Sequence, residues 1–69
     1  MNYLEITKNY QKQNNLRCTP DLFFNLERAK SALKHYVKAH FIVMADCGHY
    51  LVVCLSDAQK LINNGYEAI

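Results

Sequence analysis

The chain has 69 residues, with eight Lys or Arg against six Asp or Glu and a formal net charge of +2. This length supplies one small domain with little room for an internal active-site cavity, and the hydrophobic fraction of 51% argues against intrinsic disorder. The small positive charge is too weak to indicate nucleic-acid binding by itself. We therefore expect a single compact domain over residues 1–69.

The N-terminal residues lack a basic segment followed by an apolar core, and no apolar run approaches the roughly 20 residues that span a bilayer. The three cysteines are an odd number at irregular spacing, unlike the paired pattern of small disulfide-rich secreted domains. Both features predict a cytoplasmic protein with reduced thiols and no membrane contact.

The first residues alternate apolar and polar side chains, with Leu4 and Ile6 on one side of residues 2–8. A period of two is typical of a half-buried strand, so this segment is predicted to be the first strand. Residues 9–18 are rich in Gln, Asn and Lys and are predicted to form a loop.

Thr19, Pro20 and Asp21 form a helix-start signal, because Thr caps free amides, Pro suits the first helical position and Asp complements the dipole. The predicted helix runs from about Pro20 to about Val37. An apolar stripe at helical spacing should cover the sheet. The stripe consists of Leu22, Leu26, Ala29, Leu33, Tyr36 and Val37.

Phe24 lies on the opposite side of this predicted helix, with Arg28 and His35 among its helical neighbours. A large aromatic side chain there is either covered by the 9–18 loop or exposed as a partner contact. Because small domains recruit loops to complete their cores, the covered alternative is favoured.

Residues 39–55 contain two runs of β-branched and aromatic residues around a Gly-containing turn, which predicts an antiparallel hairpin. Both runs are apolar at nearly every position, so both faces of the sheet should be covered. A two-residue turn at Cys47-Gly48 would place Ile42 and Val53 on the same face. A three-residue loop with Gly48 in the left-handed region would instead pair His40 with Cys54. The sequence leaves both registers open.

Ser56 and Gln59 have the spacing of a capping box, so a short second helix should begin at Ser56 and end near Asn64-Gly65. The side chains that it should bury are Ala58, Leu61 and Ile62. Residues 66–69 could pair as an edge strand.

Together these elements predict a small α+β domain in the order β-α-β-β-α, with a possible short C-terminal strand. The central antiparallel hairpin should be packed on the long helix. A monomer is favoured over a homodimer, because the second helix follows its strand directly and has a short reach back over the sheet.

Cys47 and His49 lie close together in the turn, and Cys18, His40 and Cys54 are the other candidate metal ligands. Structural zinc sites present two closely spaced ligand pairs, and that pattern is missing here. Cys47 beside His49 lacks an orienting group for nucleophilic catalysis, and the two glycines cannot form a phosphate-binding loop. We therefore expect no bound metal, no cofactor and no enzymatic activity.

Lys30, Lys34 and Lys38 recur at four-residue steps along the predicted helix, and Lys60 could extend the basic surface. Such a stripe could contact phosphates. Cations near the end of a helix also complement its dipole and keep a small domain soluble. The low net charge favours this structural interpretation.

Residues 20–69 combine an amphipathic helix and a hairpin ending in Tyr50-Leu51-Val52-Val53 with two further segments, Ser56-Asp57-Ala58-Gln59-Lys60-Leu61 and Asn64-Gly65-Tyr66-Glu67. This combination resembles short proteins encoded on bacteriophages and other bacterial mobile elements. In size and element order it is similar to some small anti-CRISPR proteins. The resemblance implies a non-enzymatic protein that binds a CRISPR-Cas effector complex. Some anti-CRISPR proteins are strongly acidic DNA mimics, and the composition of this chain departs from that pattern.

The leading functional prediction is a small non-enzymatic protein-binding module, a phage-encoded inhibitor that blocks a bacterial defence complex sterically. The candidate partner-binding residues are Phe24, Arg28, His35 and His49. The alternative is a small nucleic-acid-binding domain. Its candidate phosphate contacts are Lys30, Lys34, Lys38 and Lys60.

Overall fold

The computed structural model describes residues 2–46 and 48–69. In this part of the chain, three helices and four strands form a domain with an antiparallel sheet in the order β1-β3-β2-β4. The predicted α+β class is confirmed, whereas the predicted order β-α-β-β-α lacks the N-terminal helix. The elements in chain order are α1 (Tyr3–Asn14), β1 (Asp21–Phe23), α2 (Leu26–Leu33), β2 (His40–Met44), β3 (Tyr50–Cys54), α3 (Leu55–Asn63) and β4 (Glu67–Ala68).

The N-terminal segment is a helix, so the predicted strand over residues 2–8 and the loop prediction for residues 9–14 are wrong. Asn2 caps α1 by accepting a hydrogen bond from the Glu5 amide at 2.9 Å. The buried face of α1 consists of Thr7, Tyr10 and Asn14, at helical spacing. Two of these residues are polar and bond carbonyl groups of the helix itself, so hydrophobicity does not mark the buried face.

The helix predicted from Pro20 begins later, because the Leu22 region pairs with β3 as strand β1. Asn25 is the residue that starts α2. Its Oδ1 accepts hydrogen bonds from the amides of Glu27 at 2.8 Å and Arg28 at 3.3 Å, which satisfies two of the free donors at a helix start.

The predicted long helix is therefore only eight residues long, ending at Leu33. Val37, assigned to its apolar stripe, lies beyond the helix and is fully exposed. Thr19, the predicted cap, donates its hydroxyl proton to Gln11 Oε1 at 2.8 Å instead.

The hairpin is confirmed, and its register is that of the three-residue loop. His40 pairs with Cys54 and Ile42 pairs with Val52. Gly48 has a φ of 75°, in the left-handed region that this loop requires. Both predicted registers place Cys47 in the turn, and Cys47 lies outside the described residues.

Both faces of the sheet are covered, as predicted. The face under α1 and α3 has a core of Tyr10, Leu16, Leu22, Val43, Leu51, Val53, Ala58 and Leu61. The opposite face, under α2, has a core of Ala29, Ile42 and Val52, flanked by the partly buried Phe23, Leu26, Leu33, Tyr36 and Tyr50. The alternation of side chains along β2 and β3 separates the two cores.

Helix α3 begins at Leu55, so Ser56 lies in its first turn and the predicted capping role of Ser56 is wrong. The first turn of α3 instead places Asp57 in the core, where its carboxylate accepts hydrogen bonds from the backbone amides of Arg17 at 2.9 Å and Cys18 at 3.3 Å. These bonds tie α3 to the segment that precedes β1.

The predicted burial in α3 is confirmed for Ala58 and Leu61, whereas Ile62 is 46% exposed because it faces away from the sheet. The short C-terminal strand β4 is also confirmed, and it pairs with the outer edge of β2. No helix in the described part of the chain is long and apolar enough to cross a membrane.

Candidate partner-binding site

Phe24 is exposed, so the predicted coverage by the 9–18 loop is wrong. Its side chain retains 63% of its accessible surface. It follows β1 directly, ahead of α2, and residues 9–14 belong to α1 and are not free to fold over it. The Phe24 ring contacts His49 edge to face, with ring centroids 5.4 Å apart and planes at 70°. The structure therefore brings together two of the predicted partner-binding residues.

Arg28 lines the same surface depression as Phe24. It is exposed in the first turns of α2, and the depression also includes Tyr3 and Leu22. We call Phe24, Arg28 and His49 the Phe24 surface. It joins the start of α2 to the tip of the hairpin.

His35 is the predicted partner-binding residue that does not join this surface. It lies beyond the C-terminal end of α2, where its backbone amide donates to the carbonyl of Ala32 at 3.0 Å. An eight-residue helix rises about 12 Å at 1.5 Å per residue, so His35 and Phe24 lie at opposite ends of α2.

The side chain of His49 is positioned by Tyr10 and Asp46. The Tyr10 hydroxyl oxygen lies 2.7 Å from His49 Nδ1 and 3.0 Å from Asp46 Oδ2, and the Asp46 amide donates to it at 3.3 Å. Burial, followed by the side-chain hydrogen bond to Asp46, raises the pKa of Tyr10 to about 12. The hydroxyl therefore keeps its proton across the physiological range.

An open depression of about 260 Å³ lies beside this network and is lined by Ile6, Asn9, Tyr10, Gln13, Asp46 and His49. We call it the Asp46 pocket. The parts played by Tyr10 and Asp46 are not predicted by the sequence, because the sequence predicts a loop around Tyr10. The signal that could have found the α1 wall is the spacing of Ile6, Tyr10 and Gln13, which puts these residues on one helical face.

The four lysines of the predicted phosphate-binding stripe are not brought together. Lys30 lies in α2, whereas Lys34 caps its C-terminal end and Lys38 lies in the connection to β2. Lys60 belongs to α3 on the opposite face of the sheet, and its Nζ donates to the carbonyl of Asn15 at 2.7 Å. Nucleic-acid binding remains the alternative prediction, and Lys60 does not share a face of the sheet with the other three lysines.

The described cysteines, Cys18 and Cys54, are unpaired thiols that line the same depression as His40. His40 is stacked on Tyr36 with ring centroids 4.0 Å apart, and its Nδ1 lies 3.0 Å from the Lys38 carbonyl. Within residues 2–46 and 48–69, no group of three or more His, Cys, Asp or Glu side chains could hold a metal ion.

Comparison of the chain with protein-family models, curated proteins and solved structures gave no match. The proposed contact surface therefore rests on the geometry of the Phe24 surface and on the chemistry of its side chains.

Proposed function

We propose that this chain is a small non-enzymatic protein-binding module that contacts its partner through the Phe24 surface. The observation that carries this proposal is the 63% exposure of Phe24 while its ring is held against His49. Aromatic residues and arginine are the residue types that most often dominate the binding energy of protein interfaces. Phe24 and Arg28 present both types side by side.

The energy available from Phe24 is large enough to matter for affinity. Covering roughly 100 Å² of an exposed Phe side chain contributes about 2.5 kcal/mol, which corresponds to a factor of about 60 in the dissociation constant. The His49 contact and its hydrogen bond to Tyr10 limit the motion of the two rings before binding. A surface that is ordered in advance loses less conformational entropy when a partner binds.

The proposed partner is a protein complex of bacterial defence, a CRISPR-Cas effector complex, which the domain blocks sterically. The resemblance of residues 20–69 to small anti-CRISPR proteins supports this choice. The size of the domain is also suitable. Stable protein interfaces take about 800 Å² from each partner, which is about a sixth of the 4792 Å² of accessible surface of the described chain.

The experiment compares three baits in bacterial lysates from hosts with and without CRISPR systems: wild type, Phe24→Ala and Val37→Ala. Val37 is the matched control, because it is a fully exposed apolar residue beyond the other end of α2. We expect wild type and Val37→Ala to recover effector subunits from CRISPR-containing hosts only. Phe24→Ala should lower the affinity for the purified complex by about 10- to 100-fold.

Thermal melting of the three proteins controls for folding, and all three should melt alike because neither substituted side chain is buried. Equal recovery by Phe24→Ala and wild type would overturn the Phe24 surface as the contact. Recovery of no effector subunit from any CRISPR-containing host would overturn the proposed partner.

A further inference from the structure

The protons around Tyr10 can be assigned from the three short contacts of its hydroxyl group. A tyrosine hydroxyl has one proton to donate and two lone pairs that accept. The Asp46 amide occupies one lone pair at 3.3 Å. In its carboxylate form Asp46 can only accept, so the hydroxyl proton points to Asp46 Oδ2 at 3.0 Å.

The contact with His49 must then use the second lone pair of the hydroxyl oxygen. The proton in the 2.7 Å contact therefore comes from Nδ1 of His49. When the imidazole ring is neutral and carries its proton on Nδ1, the other nitrogen, Nε2, is an acceptor. Tyr10 thus fixes the tautomer of His49 and leaves Nε2 able to accept a hydrogen bond from a partner.

Two acceptors therefore line the Asp46 pocket, the Asp46 carboxylate and Nε2 of the neutral His49 ring. No lysine or arginine is among the described residues that line it. Arg28 lines the depression on the other side of Phe24. The aromatic rings that line the pocket are Tyr10 and His49, and the Phe24 ring contacts His49 from the neighbouring depression.

We propose that the Asp46 pocket binds an arginine side chain of the protein partner. This inference rests on the proposed function, because it identifies the chemistry of the partner at a pocket that shares His49 with the Phe24 surface. A guanidinium group can donate to the Asp46 carboxylate and to His49 Nε2 through separate N–H groups, and its plane stacks well on aromatic rings. A lysine ammonium group lacks this planar fork. The pocket volume of about 260 Å³ leaves room for the side chain.

The first test uses the free chain and two probes, N-acetyl-arginine amide and N-acetyl-citrulline amide. Citrulline has the shape of arginine but carries a neutral urea group. In NMR titrations, we expect arginine to shift the signals of Asp46 and His49 saturably, with an affinity at least tenfold higher than that of citrulline. Asp46→Asn should lower the arginine affinity by about tenfold, or about 1.4 kcal/mol. No saturable shift, or equal affinity for the two probes, would overturn the proposal.

The second test reads the His49 tautomer directly from nitrogen-proton correlations of the ring in mildly alkaline solution. We expect the proton on Nδ1 in the wild-type chain. In Tyr10→Phe the ring should lose this preference, and arginine affinity should fall several-fold although Asp46 is still present. A wild-type ring with its proton on Nε2 would overturn the proposal. The Asp46→Asn titration supplies an independent readout if Tyr10→Phe perturbs the fold.

The two proposals fail separately. If the arginine probe does not bind but Phe24→Ala still loses the partner complex, the pocket assignment is wrong and the Phe24 surface stands. If the probe binds as expected but Phe24→Ala recovers the complex fully, the pocket chemistry stands and the proposed contact surface is wrong.

Discussion

The two faces of the sheet are covered very unequally. One face carries two helices, α1 and α3, over a core of eight buried residues, whereas the other carries the eight-residue helix α2 over a core of three. The same two central strands serve both faces, because successive side chains along a strand point in opposite directions. The inequality therefore comes from the helices and their connections, and not from the composition of the hairpin.

The larger core also contains the buried polar side chains, and each is held by hydrogen bonds. Asp57 bonds two backbone amides before β1, and Asn14 bonds the Tyr10 carbonyl and the side chain of Asn64. No buried side-chain nitrogen or oxygen in the described chain lacks a partner. Directional bonds of this kind fix the arrangement of α1 and α3 more specifically than apolar contacts alone.

The candidate site draws on both sides of this division. Tyr10 belongs to the larger core and positions His49, whereas Phe24 precedes α2 and Arg28 lies in its first turns. A substitution that alters the larger core should therefore change the position of His49 through Tyr10. A substitution that alters the start of α2 should change the position of Phe24.

The largest expected effect compares Val43→Ala with Val52→Ala, two buried valines of central strands on opposite faces. Val43 has 0% exposure in the larger core and Val52 has 2% in the smaller one. Each change removes about 1.6 kcal/mol of transfer free energy, and the cavity adds a cost that depends on how far its surroundings relax. We expect urea unfolding to show a loss of about 3 kcal/mol for Val43→Ala and about 2 kcal/mol for Val52→Ala. Equal losses would mean that the smaller core under α2 is as rigid as the larger core under α1 and α3.

The second effect concerns pH and Tyr10. Its pKa is raised from the ordinary value of 10.0 to about 12. Below pH 10 the hydroxyl is protonated in both the folded and the unfolded chain, so its stabilising contribution is fully present. As the pH rises through 12, the unfolded chain ionises first and the contribution is lost. The free energy of unfolding should therefore fall by about 2 to 3 kcal/mol between these values.

The matched control is Tyr10→Phe, which keeps the ring and removes the titrating group. Urea unfolding of both proteins at pH 9 and pH 12 separates Tyr10 from the other tyrosines, because those are present in both proteins. The wild-type chain should lose about 2 to 3 kcal/mol more than the variant. The same pH dependence in both proteins would show that burial in the larger core does not hold the Tyr10 proton.

The hairpin, the coverage of both its faces and the last strand were predictable because their signals are local. Apolar runs on both sides of Gly48 leave few alternatives to a hairpin. Because both runs are apolar at nearly every position, both faces of the sheet have to be covered. The loop length remained open because Gly48 suits either turn. The tip also contains His49, whose importance depends on Tyr10, 39 positions earlier in the chain.

The N-terminal half was less predictable because its signals compete. Residues 2–8 alternate like a strand over a short window, while the buried face of α1 includes Thr7 and Asn14, which a hydrophobic pattern does not reveal. Thr19-Pro20 and Asn25 are both acceptable helix starts. Pairing of the Leu22 segment with β3 decides for Asn25, and this is a tertiary contact that local pattern does not contain.

The smallest expected effect tests whether α2 is capped by Asn25 or by Thr19. Asn25→Ala removes an Oδ1 that accepts from the Glu27 and Arg28 amides, and we expect a loss of about 1 kcal/mol in the free energy of unfolding. Thr19→Ala, at the cap that the sequence predicts, removes only an exposed hydroxyl contact with Gln11 and should cost less than about 0.5 kcal/mol. Because α2 packs on the smaller core and α3 on the larger one, Asn25→Ala should also speed amide hydrogen exchange in α2 while leaving α3 unchanged. A larger loss from Thr19→Ala than from Asn25→Ala would show that the stabilising cap is at Thr19 after all. Faster exchange in α3 would show that the two faces do not respond separately.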